Sequence, residues 1–293
     1  MRVLIIGPGY VGMTLAAQLA QSGHEVFALS RTTDRAEALS AMGVRALVGD
    51  ITDPASLVAL PTAFDWVVNC VSSTHGGVED YQRVYLAGAR NLIRWLAGSP
   101  LRKFVYTSST GVYGQNDGSL VDETALTEPP TETSRVLVAT EREFLAAARE
   151  HNFPVVILRV AGIYGPGRGW WFKQFLAGDA RLEGEGRRML NMIHRDDVAG
   201  CAMAALERGR PGEIYNAVDD EPVTQRDFFL WLAAKVGKPM PPSVPEDPDA
   251  PRKRGVTHKR ITNAKLKRDL GYHFKFPTFR EGYAAELRAL GRG

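Results

Sequence analysis

Cysteine is scarce in this chain: Cys70 and Cys201 are the only two among 293 residues, far apart and in no C-x-x-C pair. That excludes a disulfide scaffold and a cysteine-based metal or redox centre, and it sets the expectation of a reduced, cytoplasmic protein with no metal. Long apolar runs are missing too, so no membrane span and no membrane partner are expected. The chain opens directly on a strand-like run, and no signal peptide is expected. Charge of one sign is also lacking. Lys and Arg number 36 against 33 Asp and Glu, both spread along the chain, so net charge alone names no partner. At this length one large α/β domain with an appended lobe suffices, as a monomer or homodimer.

What is present begins at residue 2. Arg2-Val3-Leu4-Ile5-Ile6 is apolar, β-branched and too short for a helix, and it stops at Gly7-Pro8-Gly9-Tyr10-Val11-Gly12. Residues 13–21 are helix-compatible, with Leu15, Ala16 and Leu19 on one face and Gly23 at the stop. Strand, G-x-G-x-x-G and helix therefore follow in order, and a second strand, Glu25-Val26-Phe27-Ala28-Leu29, comes next. In that context Gly7 permits the turn, Gly9 lets backbone approach a pyrophosphate, and Gly12 lets helix and strand pack closely. The N–H groups of the first helical residues, Tyr10 and Val11 among them, then meet the phosphates.

The second strand runs into Ser30-Arg31-Thr32-Thr33-Asp34-Arg35. A hydroxyl and an arginine at this point suit a ribose 2′-phosphate, whereas an acid would hold a 2′-hydroxyl. NADP is therefore expected over NAD, with Arg31 as the main ligand, Arg35 as a second and Ser30 beside them. A third strand, Arg45-Ala46-Leu47-Val48, leads to Gly49-Asp50-Ile51, where Asp50 suits an adenine amino group and Ile51 its ring face, unless Asp50 merely caps the next helix. The fourth, ending at Val71, delivers a polar tail at the cofactor edge of the sheet. In that tail His75 is a candidate substrate contact or an exposed loop residue.

A long helical stretch over 78–97, a fifth strand at Lys103-Phe104-Val105-Tyr106, a helix over 132–150 and a strand from Pro154 to Val160 complete the alternation. That alternation implies a Rossmann-type doubly wound parallel sheet. A helix over 197–207 and a strand at 213–217 return to it, while 225–236 and 264–290 build a smaller lobe. Gly167-Arg168-Gly169-Trp170-Trp171-Phe172 sets Arg168 beside three aromatics, able to hold an anion and stack a ring or simply to form core. Pro239 to Pro251 holds six prolines and reads as a surface loop. Residues 252–268 hold eight Lys or Arg and no acid, with no aromatic interleaved. They suit a solvated face or one wall of an anionic-substrate cleft better than a nucleic-acid surface.

These features together resemble the extended short-chain dehydrogenase/reductases, the NAD-dependent epimerase/dehydratase family, over essentially the whole chain. Besides the glycine loop and Asp50, the resemblance is carried by Ser108-Ser109-Thr110-Gly111-Val112-Tyr113-Gly114, Leu158-Arg159, Ile163-Tyr164-Gly165-Pro166-Gly167 and Met192-Ile193-His194-Arg195-Asp196-Asp197-Val198-Ala199. Ile214-Tyr215-Asn216-Ala217 and Leu266 to Tyr272 extend it. It implies an α/β fold with a dinucleotide domain over 1–165, completed by about 190–218, and a C-terminal α/β substrate lobe over 166–293. It implies an NAD(P)-dependent oxidoreductase, epimerase or dehydratase acting on a small polar or sugar-like substrate, with Ala161 and Ile163 lining the nicotinamide side. Ser109 matches the serine that hydrogen-bonds the reacting oxygen.

One family feature is absent. Members carry Tyr-x-x-x-Lys on the helix after the V-Y-G element, the lysine lowering the tyrosine pKa for proton relay. No tyrosine here is followed four residues later by lysine; aligning Glu141 puts Thr133 and Leu137 at those positions, and the alternative register puts Arg135 and Ala139 there. Tyr113 is the nearest phenol that could stand in as proton donor, although at this place in the family it is mainly structural. His194 is expected in the core and Asp197 as a helix anchor. The rival reading is a cofactor-binding sensor or scaffold that has lost its chemistry.

Overall fold

Seven parallel strands make the central sheet: β1 (Arg2–Ile6), β2 (Glu25–Ser30), β3 (Arg45–Val48), β4 (Trp66–Asn69), β5 (Lys103–Ser109), β6 (Val155–Val160) and β7 (Ile214–Ala217). The computed structural model describes residues 1–245 and 258–291. Spatially the strands run β7-β6-β5-β4-β1-β2-β3. The chain builds outward from β1 to β3, returns past β1 and builds the other way, so the order reverses between β1 and β4. A crevice opens at such a reversal, beyond the carboxyl ends of the strands.

Both sheet faces are covered, which is why the strands are apolar on both sides; in β6 all six residues are buried. The helices, in order, are α1 (Tyr10–Gln21), α2 (Ala36–Ala41), α3 (residues 78–95), α4 (Glu132–His151), α5 (Trp170–Ala177), α6 (Arg195–Arg208), α7 (Gln225–Val236), α8 (Ala264–Leu270) and α9 (Phe279–Ala289). Strand alternation sorts β1 between two cores. Val3 and Ile5 meet Leu15 and Leu19 of α1 and Val198 and Ala202 of α6 on one face; Leu4 and Ile6 meet Leu92 of α3 and Phe144 of α4 on the other.

The stretch expected as one plain helix over 78–97 widens to i→i+5 bonding at Gln82–Ala87 before resuming at Gly88. The C-terminal stretch expected over 264–290 is two helices, because Gly271 ends α8 in a left-handed conformation at φ 56°. A third, aromatic core gathers Phe172 and Phe175 of α5, Phe228 and Phe229 of α7 and Phe279 and Tyr283 of α9. Part of the proline-rich loop and residues 252–257 of the basic stretch lie outside the described residues.

The start of α6 ties this aromatic region to the sheet. Asp197 accepts hydrogen bonds from the Tyr272 hydroxyl (2.7 Å) and from the backbone N–H groups of Lys275 (2.6 Å) and Phe276 (3.0 Å). His194 lies in the core, as expected, and also caps α6, its Nδ1 accepting from the Asp196 N–H at 3.1 Å. Burial drives its pKa down to about 4, against the opposing pull of the Asp196 carboxylate. The folded state therefore binds fewer protons than the unfolded chain between about pH 6.5 and 4, so this residue's contribution to stability is present above pH 6.5 and lost on acidification through that window. Removing the titration should flatten acid sensitivity there: urea unfolding of His194→Asn is expected to show a pH 7 to pH 5 loss smaller than wild type by roughly 1–2 kcal/mol. An unchanged pH dependence would contradict this assignment.

Candidate functional site

At the reversal point the ends of β1, β2, β3 and β4 enclose a cleft of about 600 Å³. Its floor is the glycine turn. Gly7 has φ +80°, and a Cβ there would sit 2.9 Å from Val71 Cγ2; a Cβ on Gly12 would sit 2.4 Å from the Gly7 carbonyl oxygen. Only glycine lets α1 start this close to β1. No side chain caps α1 at Gly9, so its first-turn N–H groups and positive dipole end are available at the cleft for an anion.

Gly7, Gly9, Ser30, Arg31, Arg35, Asp50, Ile51 and Val71 all line this cleft. Tyr10, Val11 and Gly12 sit in the first turn of α1 behind it. The Arg35 guanidinium donates to the Pro8 carbonyl, folding over the glycine turn. Ser30 donates to the Thr32 carbonyl at 2.7 Å, and Asp34, whose carboxylate accepts from Thr32 at 2.9 Å, faces the cleft beside Arg31. Asp50 shapes its own loop, Oδ1 accepting from the Thr52 N–H at 2.8 Å; the following short helix is capped by Asp53, not Asp50. A cradle closed to side chains, uncapped helical N–H groups and two guanidinium groups fit a dinucleotide. Bound there, it would supply hydride chemistry, with the helix start and the Arg31 loop holding its phosphates.

Beyond the ends of β5 and β6 lies a second cavity of about 310 Å³, lined by Ser109, Gly111, Ala161 and Ile163 together with Trp170, Trp171 and Tyr283. Strand periodicity explains Ser109. Its neighbour Ser108 points the other way and donates to Glu141 Oε1 at 2.6 Å inside the protein. Glu141 is locked to Arg159 (2.7 Å), Arg159 donates to the Tyr113 hydroxyl (2.8 Å), and that hydroxyl donates to Asn216 Oδ1 (2.8 Å). One buried network thus joins β5, α4, β6 and β7 just behind the cavity. Ser109 Oγ accepts from the Gly111 N–H at 3.1 Å, which fixes the side chain at the mouth of a short turn and leaves its own proton to donate.

Two sequence expectations are corrected here, those for Tyr113 and Arg168. Tyr113, the candidate stand-in proton donor, is fully buried, lines neither cavity, and is pushed up to about 12 by burial, so its phenol serves the network. His75 is exposed in its loop, as the second of its two expected roles had it, and lines the dinucleotide cleft, not the second cavity. Arg168 turns away from its aromatic neighbours: it and Arg195 lie over the Tyr10 ring, each 5.1 Å from its centroid, while the Tyr10 hydroxyl donates to the Pro166 carbonyl. Trp170 lines the second cavity although 69% exposed. The cations lining that cavity are Arg188, which no motif singled out, and Lys259 of the basic 252–268 stretch. Elsewhere in the described part of that stretch Lys265 pairs with Glu213 and Lys267 with Asp220, while Arg260, Lys267 and Arg268 are exposed.

The sequence from Val3 to Ala217 matches the profile of the NAD dependent epimerase/dehydratase family. The chain belongs to that family. Protein YeeZ of Escherichia coli K12 is 30% identical over 284 residues, covering 94% of this chain and 96% of that protein. A 2-alkyl-3-oxoalkanoate reductase of Stenotrophomonas maltophilia is 26% identical over 255 residues, 82% of this chain and 77% of the reductase. In fold, the chain superposes on a dTDP-glucose 4,6-dehydratase of Streptomyces venezuelae, solved with NAD bound, with a TM-score of 0.84 at 23% identity over 98% of this chain and 96% of that one.

The ion pair at the heart of the network carries a direct consequence. Glu141→Ala leaves the Arg159 charge buried without its carboxylate and should cost about 3 kcal/mol or more in urea unfolding, whereas replacing both partners (Glu141→Leu with Arg159→Met) should recover most of that loss. A single substitution costing under about 1 kcal/mol would show that the pair does not hold these strands together.

Proposed function

We propose that this protein is an NADP-preferring oxidoreductase, epimerase or dehydratase-like enzyme acting on a small molecule that presents a carbonyl or hydroxyl oxygen to Ser109. Residues 1–165, completed by about 190–218, hold the dinucleotide, and 166–293 supply most of the substrate pocket. The free thiols Cys70 and Cys201 suit work in the reducing cytoplasm. The observation that carries the reading is the juxtaposition of Arg31 and Arg35 on the wall of the cleft whose floor is the Gly7–Gly12 turn. Two guanidinium groups against the one carboxylate of Asp34 favour a 2′-phosphate at the end of β2. Ala161 and Gly162 are small enough on the second cavity's wall, beside Ile163, to let a nicotinamide approach Ser109.

A second reading, a dinucleotide-binding sensor without turnover, is favoured by Thr133 and Leu137. Thr133 sits in the first turn of α4 and Leu137 is buried in the core, where proton-relay residues stand in the family. Following NADPH absorbance across a carbonyl screen separates the two: turnover that is abolished or strongly weakened in Ser109→Ala supports the enzyme, and binding without consumption supports the sensor.

Cofactor choice is tested by calorimetric titration of the purified chain. NADP is expected to bind more tightly than NAD, and Arg31→Ser to weaken NADP roughly tenfold or more while leaving NAD within about threefold. Equal loss for both dinucleotides, or no binding of either, would overturn the assignment.

A further inference from the structure

Two phenols stand on the wall of the second cavity, Tyr164 and Tyr283, and their hydroxyls differ in what they do. Tyr164 closes the short strand Gly162–Tyr164, and its hydroxyl donates to the Thr278 carbonyl at 3.3 Å. It packs so tightly on α9 that a Cβ on Gly282 would lie 2.1 Å from its oxygen. Tyr283 follows Gly282 in α9, is only 2% exposed, and its hydroxyl bonds to no described residue. The ring is held on several sides, 4.3 Å from Tyr164 with planes 22° apart, 4.8 Å from Phe172, and edge-on to Phe228 at 5.4 Å. A capping box between Thr278 and Glu281 fixes the start of α9 beneath it. So held, the Tyr283 oxygen lies against Gly169, where a Cβ would come within 2.9 Å of it. Gly169, at φ +131°, is itself part of the cavity wall.

The other polar groups on this wall are engaged or partly solvated. Asn191 is spent on backbone, its Nδ2 donating to the Lys259 carbonyl (2.9 Å) and its Oδ1 accepting from the Ile261 N–H (2.8 Å). Arg188 is ion-paired to Glu183 at 3.3 Å, and the Lys259 ammonium donates to the Tyr113 carbonyl at 3.0 Å. Thr110 is half-buried beside Ser109. A hydroxyl as buried as that of Tyr283 is costly to leave unbonded, and with no described residue as partner it is satisfied from inside the cavity. Burial pushes its pKa up, so it stays protonated and meets a ligand as a neutral donor. Around it Trp170 and Trp171 present rings, and Met189, Leu190 and Met192 add apolar surface to a cavity near the lower end of ligand sites in size. We infer that Tyr283 is a substrate-binding residue: its hydroxyl donates to a second oxygen of a small aryl ketone or alcohol whose reacting oxygen meets Ser109. This rests on the hydride-transfer reading above and narrows its substrate from any small polar or sugar-like molecule to an aryl compound with a second, accepting oxygen.

The test uses the whole protein saturated with NADP, titrated by calorimetry with the ortho, meta and para isomers of methoxyacetophenone and of ethylacetophenone. Each ethyl compound keeps the ketone and the outline of its methoxy counterpart and replaces the accepting oxygen by a methylene. At least one methoxy isomer is expected to bind roughly fivefold more tightly than its ethyl counterpart. Tyr283→Phe should cancel that advantage and leave the ethyl compounds, NADP affinity and melting temperature unchanged, because the hydroxyl it removes holds no described protein group. No binding of any probe at millimolar concentration, an advantage under about twofold for every isomer, or an advantage that survives Tyr283→Phe would overturn the assignment. So would a loss in that variant shared equally by methoxy and ethyl compounds. Should the variant fold poorly, the hydroxyl holds structure instead, and the assignment falls with it. If NADP itself fails to bind in the same titrations, it is the hydride-transfer reading that falls; if NADP binds and the oxygen-dependent advantage is missing, only the role of Tyr283 does.

Discussion

The contact on which the dinucleotide end of this molecule depends is that between Gly12 and the carbonyl of Gly7, where a single added carbon would lie 2.4 Å from oxygen. Because nothing occupies that space, α1 starts directly against the end of β1, and its uncapped N–H groups fall at the point where strand order reverses. The flanking strands follow from the same geometry. With β1 paired to β2 on one side and β4 on the other, the loops carrying Arg31 and Val71 arrive at opposite walls of one cleft. Without the close approach, each of these loops would still exist, but they would not converge on a common anion.

The other end of the sheet is organised by charge instead of by missing volume. Glu141 and Arg159 are almost wholly buried, and each is satisfied several times over: Ser108 and Arg159 donate to the carboxylate, while the guanidinium reaches Tyr113. A buried pair of this kind adds little net stability over an apolar replacement, yet losing one partner is severe. Its effect is positional. By committing Ser108, Tyr113 and Asn216 behind the sheet edge, it leaves Ser109, Ala161 and Lys259 as the groups that face the second cavity. The glycine turn and this network lie at different places along the carboxyl edge of the same parallel sheet, which is why two cavities of different character open at that edge.

Much of this was legible in the sequence because it is local. Apolar runs and their punctuation set the strands: Arg45–Val48 matches its expected bounds, and the glycine spacing anticipated both the turn and the helix behind it. The seven-stranded parallel sheet follows from alternation and handedness. What could not be read were the destinations of long side chains. Arg168 stands next to three aromatics in sequence but stacks on Tyr10, 158 positions earlier, because Gly167 and Gly169, both at positive φ, turn the chain there. Lys259 belongs to a basic stretch open to two readings, a solvated face or one wall of an anionic-substrate cleft, and the pairing of Arg260–Ile261 with Leu120–Val121 carries it inward. Tyr113 sat in a motif beside Ser109 and was open to either role until its four-residue offset put it on the buried side of the turn. A charge run flanking a short strand with an apolar Ile261 was the available signal that part of the run is interior.

The account turns on phosphates meeting the start of α1, and amide chemical shifts report that meeting without any substrate. In ¹⁵N-labelled protein titrated with NADP, the largest amide perturbations are expected at Gly9, Tyr10, Val11 and Gly12, with Arg31 close behind. Saturation that leaves those amides unmoved, or moves residues far from the carboxyl ends of β1 and β2 instead, would contradict the cleft's assignment.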